Sequence, residues 1–154
     1  QWLYLEKTGQ WRFTPPTHIV AAFLQAMAEH AAEGGVAGRL ARYQRNQQRL
    51  VAGMKELGFR TLLNEKWLSP IIVTFLSPQN ERFDFTEFYD RIKAHGFVIY
   101  PGKLTVVDSF RLGCIGQLYD EQIDQVLVAI AAVLDEMGIE SGHAVLTEEN
   151  EVTA

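Results

Sequence analysis

The residue of this sequence best suited to bind a ligand is Arg111, inside the apolar run Phe110–Ile115. Short apolar runs bounded by turn residues predict buried strands. Because strand side chains alternate, one face carries Phe110, Leu112 and Cys114, and the other carries Arg111, Gly113 and Ile115. A guanidinium beside a glycine has room for a ligand, and its planar fork of N–H donors matches a carboxylate or phosphate. The alternative is an edge-strand arginine whose head lies in water.

A second candidate anion site is Thr14, within the segment Trp11–His18 of sequence WRFTPPTH. A helix N-terminus points N–H groups and a partial positive charge outward. Pro15 and Pro16 have no N–H group, so the hydroxyls of Thr14 and Thr17 would supply more of the hydrogen bonds. The alternative is that Thr14 or Thr17 is only the N-cap of the helix that follows.

The other cations are interpreted as solvent-exposed. Lys103 fits an exposed turn, and a solvated helix face is predicted for Arg39, Arg42, Arg45 and Arg49. The four histidines are scattered singly, and the sequence has no HExxH, CxxC or GxSxG spacing and no glycine-rich phosphate loop after a strand. We therefore predict no metal site in this segment.

The composition fits one domain with a real core: 154 residues, 47% hydrophobic and 21% charged. A net charge of −5 argues against nucleic acid or an anionic membrane as the main partner. The longest apolar run is too short to cross a bilayer. Cys114 is the only cysteine, which excludes an internal disulfide, and no leader pattern opens the chain. These features favour a reducing, cytoplasmic setting.

The beginning of the chain has the pattern of an interior segment. It starts at Gln1 rather than at a methionine, and Gln1–Gly9 has the pattern of the last turns of a helix. We therefore expect this sequence to be a piece of a longer protein.

Periodicity and turn residues predict the order helix, helix, strand, strand, helix, strand, strand, helix after that first helical end. The helices are expected after Pro16 and over residues 36–57, 84–96 and 120–138; the strands are expected over 59–63, 69–76, 97–100 and 110–115. This order predicts an α/β fold with helices packed on a small sheet.

Four segments resemble the carboxy-terminal part of the class V aminotransferases, which are pyridoxal-phosphate enzymes of fold type I. The segments are Trp11–His18 (WRFTPPTH), Ser69–Phe75 (SPIIVTF), Gly96–Thr105 (GFVIYPGKLT) and Phe110–Gly116 (FRLGCIG). The last two strings are similar to those of the transaminases that act on 2-aminoethylphosphonate and pyruvate. The resemblance covers nearly all of the chain up to about Met137.

The resemblance implies a homodimer in which Thr14 reaches the cofactor phosphate of the other subunit and Arg111 holds the carboxylate of pyruvate or alanine. The implied reaction moves the amino group of 2-aminoethylphosphonate to pyruvate, giving phosphonoacetaldehyde and alanine. The family's Schiff-base lysine lies upstream of this segment and matches no residue here. The segment alone is therefore expected to be inactive.

The resemblance also implies a domain organisation. Residues 1–35 would be the end of the large cofactor domain and a connecting helix. Residues 36–138 would be the small domain, a mostly antiparallel sheet with helices packed on it, and residues 139–154 a flexible acidic tail. Two alternatives stay open: an alanine–glyoxylate or serine–glyoxylate aminotransferase of the same class, and a stand-alone, non-catalytic α/β binding module.

Overall fold

The computed structural model of the protein describes residues 1–102 and 107–143 and divides the chain into two compact units, Gln1–Arg39 and Leu40–Ala154. The helices are α1 (Trp2–Thr8), α2 (Thr17–Ala32), α3 (Gly35–Glu56), α4 (Phe85–Ala94) and α5 (Asp120–Glu136), and the strands are β1 (Ile72–Leu76), β2 (Tyr100–Pro101) and β3 (Ser109–Gly113). A short 3-10 helix covers Glu65–Trp67. None of the helices in these described ranges combines the length and the apolar character that crossing a membrane requires.

In the first unit, α1 ends at Gly9, whose φ of 67° lies in the left-handed region that glycine adopts without steric cost. The predicted helix after the two prolines is confirmed, but the predicted N-cap at Thr14 or Thr17 is wrong. The N-cap is Pro16, and no side chain caps α2. A capping hydroxyl must belong to the N-cap residue itself, whereas Thr14 lies two residues earlier and Thr17 is already helical.

Apolar side chains at helical spacing on α2 are exposed in the first unit. Ile19 is 70% exposed, Phe23 63% and Met27 52%, and no residue of α2 is buried. A stripe of this kind is typical of a surface used for binding or packing.

In the second unit, the three strands form an antiparallel sheet of order β1-β3-β2. Every residue of β3 from Ser109 to Gly113 pairs with β1, and Arg111 also pairs with Tyr100 of β2. Because β3 lies in the middle, the interpretation of Arg111 as an edge-strand residue is wrong. The predicted small antiparallel sheet with helices packed on it is confirmed.

Two predicted strands differ from the structure. Residues 59–63 contribute only an isolated bridge between Thr61 and Phe75, because the Asn64 side chain accepts a hydrogen bond from Lys66 and starts the 3-10 helix. The strand expected over 97–100 shortens to Tyr100–Pro101. There the Phe97 N–H still donates to the carbonyl of Ile92 in α4, which delays the extended conformation.

The core of the second unit is built around Phe110, which is fully buried. Four other phenylalanine rings lie within 6.3 Å of its ring, centroid to centroid: Phe59, Phe75, Phe85 and Phe88. Residues of α3, α4 and α5 complete the same cluster. The helical periodicity that predicted α4 and α5 therefore identified the faces that pack on the sheet.

The packed part of the second unit continues beyond α5. Ile139 is 1% exposed, and the Gly142 N–H donates to the carbonyl of Leu57 at 2.9 Å. The packing of the second unit therefore extends at least to Gly142. Residues 144–154, most of the predicted tail, lie outside the described residues.

Cys114 follows β3 and points into this core with no exposed surface. Burial disfavours the charged thiolate and raises the pKa of Cys114 to about 11. Thiolates, not thiols, attack alkylating and disulfide reagents. In this environment Cys114 acts as a small, inert apolar residue.

We expect Cys114 of the folded chain to react with a thiol reagent at about pH 8 far more slowly than in denaturing urea, because only about one thiol in a thousand is ionised at that pH. The measurement is the labelling rate in the two conditions. A chain with Cys114→Ser and Ile115→Cys is the matched control, since Ile115 is 47% exposed, and it should label rapidly when folded. Equal rates for native and unfolded Cys114 would contradict the buried position.

Candidate functional site

Arg111 lies at the centre of the sheet on the face opposite the core. Its strand neighbours Phe110 and Leu112 are 0% and 5% exposed, whereas Gly113 is exposed and Arg111 is half-buried. The alternation predicted from the sequence is confirmed. It directs the guanidinium to the open face of the sheet, where a ligand has access.

The hydrogen bonds of Arg111 leave one edge of its guanidinium open. Nε donates to the carbonyl oxygen of Pro101 at 3.1 Å, which ties the side chain to β2. Within residues 1–102 and 107–143, neither terminal nitrogen has a hydrogen-bond or ion-pair partner. The Nη1–Nη2 edge is the one that binds a carboxylate through two parallel hydrogen bonds.

The surroundings of Arg111 on this face are small or uncharged. Gly113 is the next residue on the same face, and a Cβ placed there would have only the Ile71 carbonyl oxygen nearby, at 4.0 Å. Thr74 and Tyr100 pair with Arg111 from the two neighbouring strands and so share its face. Space, hydroxyl groups and an open guanidinium edge together suit a small carboxylic acid.

Thr14 lies in the first unit, in the irregular segment between α1 and α2. It is exposed, and its hydroxyl has no hydrogen-bond partner among the described residues. The Thr17 N–H donates to the carbonyl of Pro15 at 2.9 Å, so the first backbone donor of α2 is already used. A ligand at this position would meet the hydroxyl of Thr14.

The other charged residues considered in the sequence analysis are not placed at Arg111 or Thr14 by the structure. Lys103 lies outside the described residues. The described ranges contain no group of three histidine, cysteine or acidic side chains that could hold a metal ion. Arg45 and Arg49 form the predicted solvated face, and the hydrogen bond from Arg49 lowers the pKa of Asp124 on α5.

Arg42 does not belong to that solvated face, and this part of the prediction is wrong. Its side chain is buried, with 6% of its surface exposed. Nη1 donates to the carbonyl oxygens of Gly116 at 2.6 Å and Leu118 at 3.0 Å. A buried guanidinium is tolerated when its donors are satisfied, and these carbonyls lie more than 70 residues away in the sequence. The local sequence pattern therefore gave no signal of them.

Comparison of this sequence with those of known proteins identifies close relatives. No family model matches the chain. The chain is 60% identical over 141 residues to the 2-aminoethylphosphonate–pyruvate transaminase of Rhizobium meliloti, and 57% identical over 144 residues to 2-aminoethylphosphonate–pyruvate transaminase 1 of Paraburkholderia xenovorans. These alignments cover 92% and 94% of the chain but only 37% and 36% of the relatives. The chain thus spans little more than a third of the length of the curated relatives it matches.

Solved structures with a similar fold include aminotransferases. An alanine–glyoxylate aminotransferase from Nostoc matches 81% of the chain with a TM-score of 0.74, and an aspartate aminotransferase from Thermus thermophilus matches 88% with a TM-score of 0.65. Both are 23% identical, and the matches cover 33% and 37% of those chains. The chain is therefore homologous to a segment that makes up about a third of the length of each of these 2-aminoethylphosphonate–pyruvate transaminases. Its fold matches a segment of similar share in the two solved aminotransferases.

Proposed function

We propose that the complete protein encoded by the reading frame that contains this chain, called here the complete gene product, is a 2-aminoethylphosphonate–pyruvate transaminase. It moves the amino group of 2-aminoethylphosphonate to pyruvate and releases phosphonoacetaldehyde and alanine. The observation that carries the proposal is an identity of 60% that extends over 92% of the chain. Such identity includes connecting loops, where packing constrains the sequence less than function does.

In this proposal Arg111 binds the carboxylate of pyruvate, and of the alanine formed from it. The Nη1–Nη2 edge fixes both carboxylate oxygens, while the bond from Nε to Pro101 keeps the fork from rotating. The space above Gly113 holds the rest of the small acid. The residues that bind the phosphonate group are assigned to other segments of the complete gene product.

The cofactor of the proposed reaction is pyridoxal 5′-phosphate, which carries the amino group and withdraws electrons from the reacting carbon when bound. The exposed, unpartnered hydroxyl of Thr14 fits a hydrogen bond to a phosphate oxygen. One hydroxyl fills only one of the acceptor positions of a phosphate. Thr14 is therefore one of several phosphate ligands, and the others, with the lysine that holds the cofactor, are assigned to other segments.

The same proposal covers the assembly, domains and location. Residues 1–35 belong to the end of a large domain, residues 36–138 to a small domain, and two subunits form a homodimer in which Thr14 serves the partner's cofactor. The exposed apolar stripe of α2, which includes Ile19 and Phe23, supports this assembly because the large domain or the second subunit would cover it. We propose a cytoplasmic location because Cys114 is a free cysteine, as is usual in a reducing compartment.

The test of function is an amino-transfer assay on the complete gene product loaded with pyridoxal phosphate. We expect alanine to form from 2-aminoethylphosphonate and pyruvate. Transfer from serine or alanine to glyoxylate, without activity on 2-aminoethylphosphonate, would instead assign the chain to the glyoxylate enzymes of the same fold. A product that neither binds the cofactor nor transfers an amino group would be a non-catalytic module.

Arg111→Lys in the complete gene product should raise the KM for pyruvate roughly tenfold or more, because an ammonium cannot form the two parallel hydrogen bonds of a guanidinium. Steady-state kinetics at varied pyruvate measure this change. Arg60→Lys is the matched control, since Arg60 is an exposed arginine of the same unit, and it should leave the KM unchanged. An unchanged KM in Arg111→Lys would remove Arg111 from the pyruvate site.

Thr14→Ala should weaken the binding of pyridoxal phosphate by about 1–2 kcal/mol, the scale of a hydrogen bond to a charged group. Titration of the cofactor-free protein, followed by absorbance, measures the affinity. Thr14→Ser keeps the hydroxyl and should restore most of the lost affinity. If Thr14→Ala binds the cofactor as tightly as the original protein, Thr14 has no role at the phosphate.

A further inference from the structure

Two polar side chains are buried on the face of α3 that packs on the core. Arg42, Asn46, Leu50 and Met54 follow one another at four-residue intervals, and each is at most 6% exposed. Leu50 and Met54 are ordinary core residues. Arg42 and Asn46 occupy the two positions of the same stripe nearest the beginning of the second unit, where apolar residues would satisfy packing alone.

Both side chains bind the backbone that connects β3 to α5, which we call the connecting segment, residues 114–119. Asn46 Nδ2 donates to the carbonyl of Leu118 at 2.9 Å and lies 3.4 Å from that of Cys114. Arg42 Nη1 donates to the carbonyls of Gly116 and Leu118. Three carbonyl groups of a six-residue segment are therefore held by two side chains of one helix.

Aromatic contacts fix the Arg42 guanidinium further. Its Cζ lies 5.2 Å from the ring centroid of Tyr43 on α3 and 5.0 Å from that of Tyr119, the N-cap residue of α5. Cation–π contact of this kind favours arginine over lysine because the planar guanidinium stacks on the ring. The arginine therefore links α3, the connecting segment and the start of α5.

The connecting segment begins immediately after the strand that carries Arg111. Beyond Gly113, the Cys114 N–H still donates to the carbonyl of Ile71 at 2.8 Å. From there to α5, the carbonyls of Cys114, Gly116 and Leu118 bind Arg42 or Asn46 rather than a neighbouring strand. The direction in which β3 leaves the sheet thus depends on these two side chains.

We propose that Arg42 and Asn46 are positioning residues for Arg111: by holding the connecting segment they fix the end of β3 and thereby the place of the Arg111 guanidinium. The inference rests on the proposed function, since it concerns the binding of pyruvate by Arg111. Both side chains are buried, with 6% of Arg42 and 0% of Asn46 exposed, and the proposal assigns neither a contact with the substrate. A displacement of about 1 Å in a binding group can cost a large factor in rate, so the position of β3 matters to the reaction.

The side-chain amide of Asn46, which binds the connecting segment, also lowers the stability of the folded chain. Asn46 Oδ1 is buried and has no hydrogen-bond partner among the described residues. An unsatisfied buried oxygen destabilises a protein. A core selected for stability alone would favour an apolar residue here, which supports a role of Asn46 in placing the connecting segment.

The experiment compares Arg42→Met and Arg42→Lys with the unaltered complete gene product, loaded with pyridoxal phosphate. Arg42→Met should raise the KM for pyruvate roughly three- to tenfold and leave kcat within about twofold. Arg42→Lys should recover only part of this change. Arg45→Met is the control, because Arg45 lies on the exposed face of α3, and it should leave both constants unchanged.

Hydrogen–deuterium exchange of the same proteins gives a readout independent of activity. Exchange of the backbone amides of residues 114–119 should become roughly tenfold faster in Arg42→Met and stay unchanged in Arg45→Met. An unchanged exchange rate would show that Arg42 does not stabilise the connecting segment and would overturn the inference. Faster exchange with an unchanged KM for pyruvate would overturn the positioning role and leave a purely structural one.

The failure of this inference differs from that of the proposed function. If the unaltered complete gene product does not transfer amino groups to pyruvate, the proposed function fails and the inference fails with it. If it does transfer them, the inference is tested by the KM for pyruvate and the hydrogen–deuterium exchange of the Arg42 variants. If Arg42→Met does not fold, Asn46→Ala removes the bonds to Cys114 and Leu118 and takes its place, with the same expected changes and the same outcomes against the inference.

Discussion

The alternation of side chains along β3 is the constraint on which the second unit depends. The insertion of Phe110 among four other phenylalanine rings fixes which face of the strand is buried. A slip of one residue would exchange the faces, placing Arg111 in the core and Phe110 in solvent. The same apolar packing that stabilises the unit therefore holds a guanidinium on the open face of the sheet.

Elements with strong periodicity could be predicted from the sequence. The apolar spacing of α4 and α5 and the β-branched run of β1 each correspond to one buried face. Residues 59–63 have a similar composition but form only one bridge, because the turn capped by Asn64 draws the chain away from the edge of the sheet. Strand pairing depends on distant partners, which local composition does not reveal.

The position of Arg111 was predictable because alternation along an apolar run places it on the face opposite Phe110. Arg42 was not, because an arginine among other arginines on a helix has the pattern of a solvated face, and its partners lie 74 and 76 residues away. Thr14 illustrates a further limit: its hydroxyl has no partner within residues 1–102 and 107–143, but a phosphate site needs donors from several segments.

The most direct test of the account is a crystal structure of the complete gene product with pyruvate or alanine bound. We expect the ligand carboxylate to lie on the open face of the sheet beside Gly113, with both oxygens within hydrogen-bond distance of Nη1 and Nη2 of Arg111. A carboxylate bound by other residues, with Arg111 paired to an acidic side chain or pointing into solvent, would contradict it.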